Sequence, residues 1–297
     1  IVGRGGSCYP VASGVYVIDD KLIEDTAAGK GGMEHPSNLG VQLARELQKE
    51  FGGRIFMVDP PCVDELCDMA RMTGIDGVPR HTNMHALNLR GVAMHHAKHV
   101  LGKKYEDCCF IVCHIDGGIS VSAHRYGRII DCNDAAGGDG PYTPTRIGSV
   151  SVADILEYVR DKDIDAVKKL CTCTGGFVSH FGTSNSDTVH KMVEEGNKKA
   201  VRVWDGMKYQ IVKYIGAMAA VLGGRVDGIL LTGGLLRFED ITQTIREQCE
   251  WIAPVSTYPG EVEHEALAAG ALRVLRGEEE PKHYTGRPVW DGWHDDD

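Results

Sequence analysis

Eight places along the chain carry side chains and spacings that suit the handling of a phosphate anion or its metal ion. The longest is His114 to Asp131, HIDGGISVSAHRYGRIID. An apolar run, Cys109 to Cys113, reads as a buried strand that turns at Asp116-Gly117-Gly118, and a second turn follows at Tyr126-Gly127. Glycines at a strand corner let backbone N–H groups approach a ligand that a Cβ would exclude. Successive N–H groups of this kind make a nest for a phosphate, although a plain β-meander with tight turns has the same pattern. Arg4 stands among glycines as a fixed cation beside flexible backbone, or as a solvated loop residue. His35 stands just ahead of a predicted helix N-terminus, where an anion is favoured. Asp59 ends a short apolar strand, the end at which α/β sheets bind ligands. His85 opens a helix near Arg80. Arg146 is the only cation of a long glycine- and proline-rich loop, residues 134–148. Thr232-Gly233-Gly234 follows a buried strand and suits a purine or ribose lying on the backbone. Glu261, Glu263 and Glu265 open the last helix, either as dipole complements or as holders of Mg²⁺ through water.

Strands and helices alternate around these residues. A helix is predicted from Leu39, its buried face formed by Leu39, Leu43, Leu47 and Phe51, with Ser37 or Asn38 as cap. A strand over 54–58 and a short helix over 62–71 follow. A long helix spans 83–100, on which His81/His85 and His95/His99 have metal-ligand spacing; capping and packing explain them better. Beyond the meander, Ser151-x-x-Asp154 resembles a capping box. A helical pair over 188–222 carries a core of Val201, Trp204, Met207, Ile211, Ile215 and Met218. The tail after Gly277 is polar and is expected to be loose.

The chain has 297 residues, which predicts about two domains, and a net charge of −10, which argues against a general nucleic-acid binder. No apolar run approaches the length of a membrane span. Ten cysteines without paired CxxC knuckles read as reduced thiols of a cytoplasmic protein.

Taken in order, the motifs resemble the acetate/butyrate kinase family, and within it the butyrate kinases. The matching stretches are GRGG (3–6), EHPSNLG (34–40), VDPPCVDEL (58–66), HALN (85–88), HIDGGISVSAHRYGRIID (114–131), GPYTPTRIG (140–148), GGFVSHFGT (175–183), LTGG (231–234) and PGEVEHEALAAGALRVLRGEE (259–279). The resemblance implies an α/β, two-domain actin-like ATPase (ribonuclease H-like) fold, shared with sugar kinases, whose domains close on a nucleotide. It implies a remainder of the first domain over 1–82, the second domain over 83–279 with the last helix packing back on the first, and a tail over 280–297. The implied reaction is reversible phosphoryl transfer from ATP to a short-chain carboxylate, with Mg²⁺, ADP and an acyl phosphate. Such a transfer needs positioning and charge stabilisation more than covalent help.

By the same resemblance, Asp59 stands beside the transferring phosphoryl and metal, His85 stabilises the transition state, and Arg146 holds the γ-phosphate or the carboxylate. Arg4 stands in for the carboxylate-binding arginine, which acetate kinases place slightly earlier, and His35 matches a further active-site histidine on the substrate side. His114, Asp116, Gly117 and Gly118 fill the second phosphate loop, Gly233 and Gly234 the adenosine motif, and Glu263 the magnesium-linked glutamate. Met84 replaces a phenylalanine of acetate kinases, which favours an acyl chain longer than acetate. The family commonly forms homo-oligomers.

Two departures stand out. Asp116 replaces the first glycine of HLGGG, placing a carboxylate against phosphate oxygens, which is repulsive unless a cation lies between them. The family's opening strand and phosphate loop, of the type NPGSTSTK, has no counterpart. A fragment, a late gene start or a second chain supplying the segment would each account for this. The first domain is then expected to be N-terminally truncated and poorly stable or inactive alone. A non-catalytic nucleotide-binding or interaction protein on the same fold is the alternative these departures motivate.

Overall fold

A computed structural model describes residues 1–6, 8–32 and 38–293. The chain opens with β1 (Val2–Gly3), β2 (Val15–Val17), α1 (Asp20–Ala27), α2 (Leu39–Phe51) and β3 (Phe56–Val58). A single turn, α3 (Asp68–Arg71), and α4 (Ala86–His96) lead to the meander β4 (Cys109–Ile115), β5 (Ile119–Arg125) and β6 (Arg128–Cys132). Helices α5 (Val152–Tyr158), α6 (Ile164–Thr172), α7 (Gly176–Phe181), α8 (Ser186–Glu194) and α9 (Lys198–Val221) follow. The chain then runs through β7 (Gly228–Gly233), α10 (Glu239–Cys249), β8 (Val255–Pro259) and α11 (Glu263–Leu275).

These elements form two compact units. Unit 1 comprises Ile1–Leu66, His85–Gly91 and Val262–Asp297; unit 2 comprises Cys67–Met84 and Val92–Glu261.

In unit 1 the sheet order is β1-β3-β2, with β1 parallel and β2 antiparallel to β3. Alternation along the strands sends side chains to both faces. Ile55 and Met57 pack with Leu22 of α1 and with Val41 and Ala44 of α2, while Phe56 and Val58 pack with Leu87, Ala271 and Val274. Helix α2 crosses β1 so closely that a Cβ on Gly3 would stand 2.5 Å from the Gly40 carbonyl oxygen. That crossing overturns the predicted buried face. Leu39, Leu43, Leu47 and Phe51 are all exposed, and Val41 and Ala44 are buried instead, because the close approach admits only the face with small residues. Asn38 gives no side-chain cap, and Ser37 lies outside the described residues.

The polar segment after α11 is held against the rest of unit 1. Lys282 exchanges backbone hydrogen bonds with Val15 and Val17, and Tyr284 is buried, its hydroxyl donating to Asp25 and accepting from the Tyr9 N–H. Polarity alone made this tail read as loose.

In unit 2 the five strands run β6-β5-β4-β7-β8, antiparallel through the meander and parallel from β4 to β8. Every residue of β4 is buried, which explains its unbroken apolar run. Cys109, Ile111, Cys113 and Ile115 join one large core with α9 and α10 through Trp204, Met207, Ile211, Ile215 and Ile245. Ser151 gives α5 no side-chain hydrogen bond, and the helix predicted over 62–71 shrinks to α3. The last turn of the long histidine helix is a π turn, Ala97–Leu101. Among the described residues, no helix is long and apolar enough to cross a membrane.

Candidate functional site

Within unit 1, Asp59 follows β3 directly, in a left-handed conformation with φ 39°. An aspartate tolerates that region better than most residues. Its carboxylate is buried and accepts the Gly14 N–H at 2.7 Å, with Arg90 Nη1 at 3.5 Å. Burial pushes the carboxyl above the usual aspartate range; Arg90, the Gly14 N–H and Arg273 pull the other way. The resemblance pointed to Asp59 but not to Arg90, which stands on α4 five residues beyond His85 and reads from sequence as an ordinary helix cation.

His85 is half-buried and immediately precedes α4, where its carbonyl accepts the Leu89 N–H. Met84 is buried in unit 2. Arg4 Nη2 donates to Glu263 Oε1 at 2.8 Å. The two residues assigned from the resemblance to carboxylate and metal thus meet each other across 259 positions of sequence. His35 lies outside the described residues.

Within unit 2 the site-bearing loops gather at the C-terminal ends of the parallel strands β4, β7 and β8, where open α/β sheets present ligands. The turn after β4 carries Asp116, Gly117 and Gly118. Asp116 Oδ1 accepts the Gly117 N–H at 2.7 Å, and Oδ2 accepts the Gly234 N–H at 2.8 Å. The carboxylate therefore ties the turn after β4 to the turn after β7. Gly233 has φ 108°, and a Cβ there would stand 2.3 Å from the Ile115 carbonyl oxygen, so only glycine fits.

The loop 134–148 reaches the same turn. Thr143 Oγ1 and Thr145 Oγ1 both donate to the Gly117 carbonyl, at 2.6 and 3.1 Å. Arg146 lies on Gly118: a Cβ there would be 2.3 Å from Nη1. Arg146 Nη1 donates to the Ala135 carbonyl, and burial pulls the guanidinium below its usual range against the opposing charge of Asp134. Sequence reasoning found Arg146 as the loop's cation and missed the two threonines; the pair of Thr flanking Pro144 was the available signal. His114 is buried at the end of β4, with Nε2 3.9 Å from Glu261 Oε1.

A Cβ on Gly117 would meet nothing within 4 Å, so open space lies beside the loop. Glycine backbone, a guanidinium and adjacent room suit the phosphates of a nucleotide. Asp59 and Glu263 are oxygen donors suited to a hard cation such as Mg²⁺, each already facing an arginine.

Glycine turns at the C-terminal ends of parallel strands, with a guanidinium seated on one of them, are compatible with a nucleotide-dependent phosphotransferase class. The acetokinase family profile matches residues 78–256. A probable butyrate kinase of Clostridium botulinum is 43% identical over 96% of this chain and 80% of its own length. A probable butyrate kinase of Coprothermobacter proteolyticus is 41% identical over the same shares. Among solved structures, acetate kinase from Porphyromonas gingivalis superposes with a TM-score of 0.76 at 20% identity, covering 93% of this chain and 77% of its own. A propionate kinase from Francisella tularensis gives 0.73 at 15% identity, covering 91% and 77%. The chain belongs to the acetokinase family and has the acetate kinase fold.

Proposed function

We propose that this protein transfers the γ-phosphoryl group of ATP to the carboxylate of a short-chain acid of about butyrate size, reversibly and with Mg²⁺. The observation that carries the reading is the seating of Arg146 on Gly118 of a loop pinned by Thr143 and Thr145. The relatives named as probable butyrate kinases support it.

ATP with Mg²⁺ supplies the phosphoryl group and neutralises charge on its oxygens. The residues of this chain do the rest by binding and orientation. The Gly117–Gly118 and Gly233–Gly234 backbone and His114 bind the nucleotide. Arg146 offers N–H donors to the transferring group, at a position its Ala135 contact holds still. His85 donates a hydrogen bond to charge developing on the phosphoryl oxygens. Asp59, its orientation set by the Gly14 N–H and Arg90, holds the metal together with Glu263. Arg4 and His35 receive the carboxylate, and Met84 borders the acyl chain. The reading places the enzyme in the cytoplasm, where its ten free cysteines stay reduced.

A hydroxamate trap for acyl phosphate tests this on protein from the complete gene, with ATP, Mg²⁺ and acetate, propionate, butyrate or isobutyrate. Hydroxamate forms fastest with butyrate or isobutyrate. Bound ATP with no acyl phosphate from any acid would instead favour a nucleotide-binding protein without turnover.

A further inference from the structure

Asp116 is the one residue of the phosphate loop whose charge opposes the loop's task. It is not alone. His114, Asp116 and Glu261 place one ligand atom each within 4.8 Å of one another. They come from two strand ends on either side of β7: His114 and Asp116 from the end of β4, Glu261 from just beyond β8. The intervening β7 fixes their spacing. Gly233 and Gly260 exchange backbone hydrogen bonds, and Thr232 Oγ1 donates to the Gly260 carbonyl at 3.0 Å, which holds the Glu261 backbone.

We propose that His114, Asp116 and Glu261 bind one divalent transition-metal ion, a site separate from the Asp59/Glu263 pair. The imidazole of His114 is buried and its Nε2 is directed toward Glu261. Asp116 is held in one orientation, because each oxygen already accepts one amide N–H. A carboxylate oxygen that accepts one N–H keeps a second lone pair for a metal. Glu261 is half-exposed. Metal–ligand bonds of about 2.0–2.2 Å need the three atoms to draw together by roughly an ångström, which one glutamate rotamer change supplies.

One imidazole nitrogen and two carboxylate oxygens suit Mn²⁺, Co²⁺ or Zn²⁺ better than Mg²⁺, which takes oxygen ligands. Three protein ligands leave coordination positions over for water or for phosphate oxygens. The open space beside Gly117 lies on the same loop. This last point rests on the kinase reading; the ion site itself does not. A bound cation also removes the repulsion that two carboxylates would otherwise exert on an approaching phosphate.

The test uses the full chain stripped of metal and titrated with Mn²⁺ alone, without nucleotide or acid. Bound Mn²⁺ is counted by electron paramagnetic resonance, and imidazole ligation is read from nitrogen modulation of the spin echo. The wild type is expected to bind Mn²⁺ with a nitrogen signal. E261Q and D116G should weaken that binding by about tenfold or more, and H114N should remove the nitrogen signal. E263Q should leave the nitrogen signal unchanged. Circular dichroism confirms that each variant is folded, and the exposed Glu261 makes E261Q the safest of them. Absence of a nitrogen signal in the wild type overturns the site. So does a nitrogen signal that E261Q and D116G leave intact, or that E263Q abolishes. Because no turnover is measured, a catalytically dead protein that still gives the nitrogen signal refutes the kinase reading and leaves the site standing.

Discussion

The guanidinium of Arg146 occupies the space that any side chain at residue 118 would need, with Nη1 2.3 Å and Cζ 2.7 Å from the position of a Cβ. Glycine at 118 is therefore required by a residue 28 positions later in the chain rather than by its own backbone. The glycine turn after β4 and the arginine loop are one construction.

Gly118→Ala must displace Arg146 or the turn that carries Gly117. A misplacement of about an ångström can cost on the order of 100-fold in rate. The expected result is a large fall in kcat with a melting temperature close to wild type. Gly117→Ala, whose Cβ meets nothing, should leave the melting temperature unchanged. Steady-state kinetics with parallel calorimetry would separate the two.

Arg4→Gln breaks the ion pair with Glu263. If Arg4 receives the substrate carboxylate, KM for the acid rises by about tenfold with kcat much less affected. Release of Glu263 should also lower the Mg²⁺ concentration needed for half-maximal rate. A Mg²⁺ dependence identical to wild type would mean that Glu263 does not hold the ion.

Arg80 joins Asp131 at 3.2 Å and Asp139 at 3.4 Å, and donates to the Ala70 and Cys132 carbonyls. Burial already raises the Asp131 carboxyl above the usual range, with Arg80 opposing. A raised aspartate favours the folded state below the unfolded-state value, and that contribution is lost as pH rises through the folded value. Removing Arg80 raises it further. Arg80→Met should therefore cost about 1–3 kcal/mol at about pH 7.5 and less at about pH 5, because lower pH favours the neutral carboxyl, which needs the arginine less. Urea unfolding at the two pH values measures the difference. An equal loss at both would assign the effect to the carbonyl contacts alone.

Leu43→Gln on the exposed face of α2 should change stability by no more than about 0.5 kcal/mol, whereas Val41→Ala should cost about 1–3 kcal/mol. The opposite ranking would restore the leucine stripe as the buried face.

Thiol reagents should modify the exposed Cys173 first, with the half-buried Cys67 and Cys171 following slowly. Cys8, Cys62, Cys113 and Cys132 are buried and should react only in denaturant. Mass spectrometry of alkylated peptides over time gives the order directly.

The amino-acid sequence by itself determined the order of motifs, and with it the family, because local strings such as HIDGGISVSAHRYGRIID survive without any knowledge of packing. It also determined the meander: an unbroken apolar run and two glycine turns leave few alternatives, and β4, β5 and β6 lie where those signals put them. Helix α2 shows where such reading stops. Four apolar residues at four-residue spacing favour one buried face, but the close crossing at Gly3 and Gly40 buries Val41 and Ala44 instead. Periodicity records which side chains are apolar; the approach distance of the neighbouring strand decides which of them fit. The same holds for the functional residues. Asp59, Arg146 and Gly118 stood out by type and position. Their partners Arg90, Thr143 and Thr145 did not, and neither did the Asp116 link to Gly234 across 118 residues. These are contacts between separate elements, and hydrogen bonds between distant segments leave no period in the chain. Only the tertiary structure brings them within reach: the sheet order sets β4 beside β7, and so Asp116 beside Gly234.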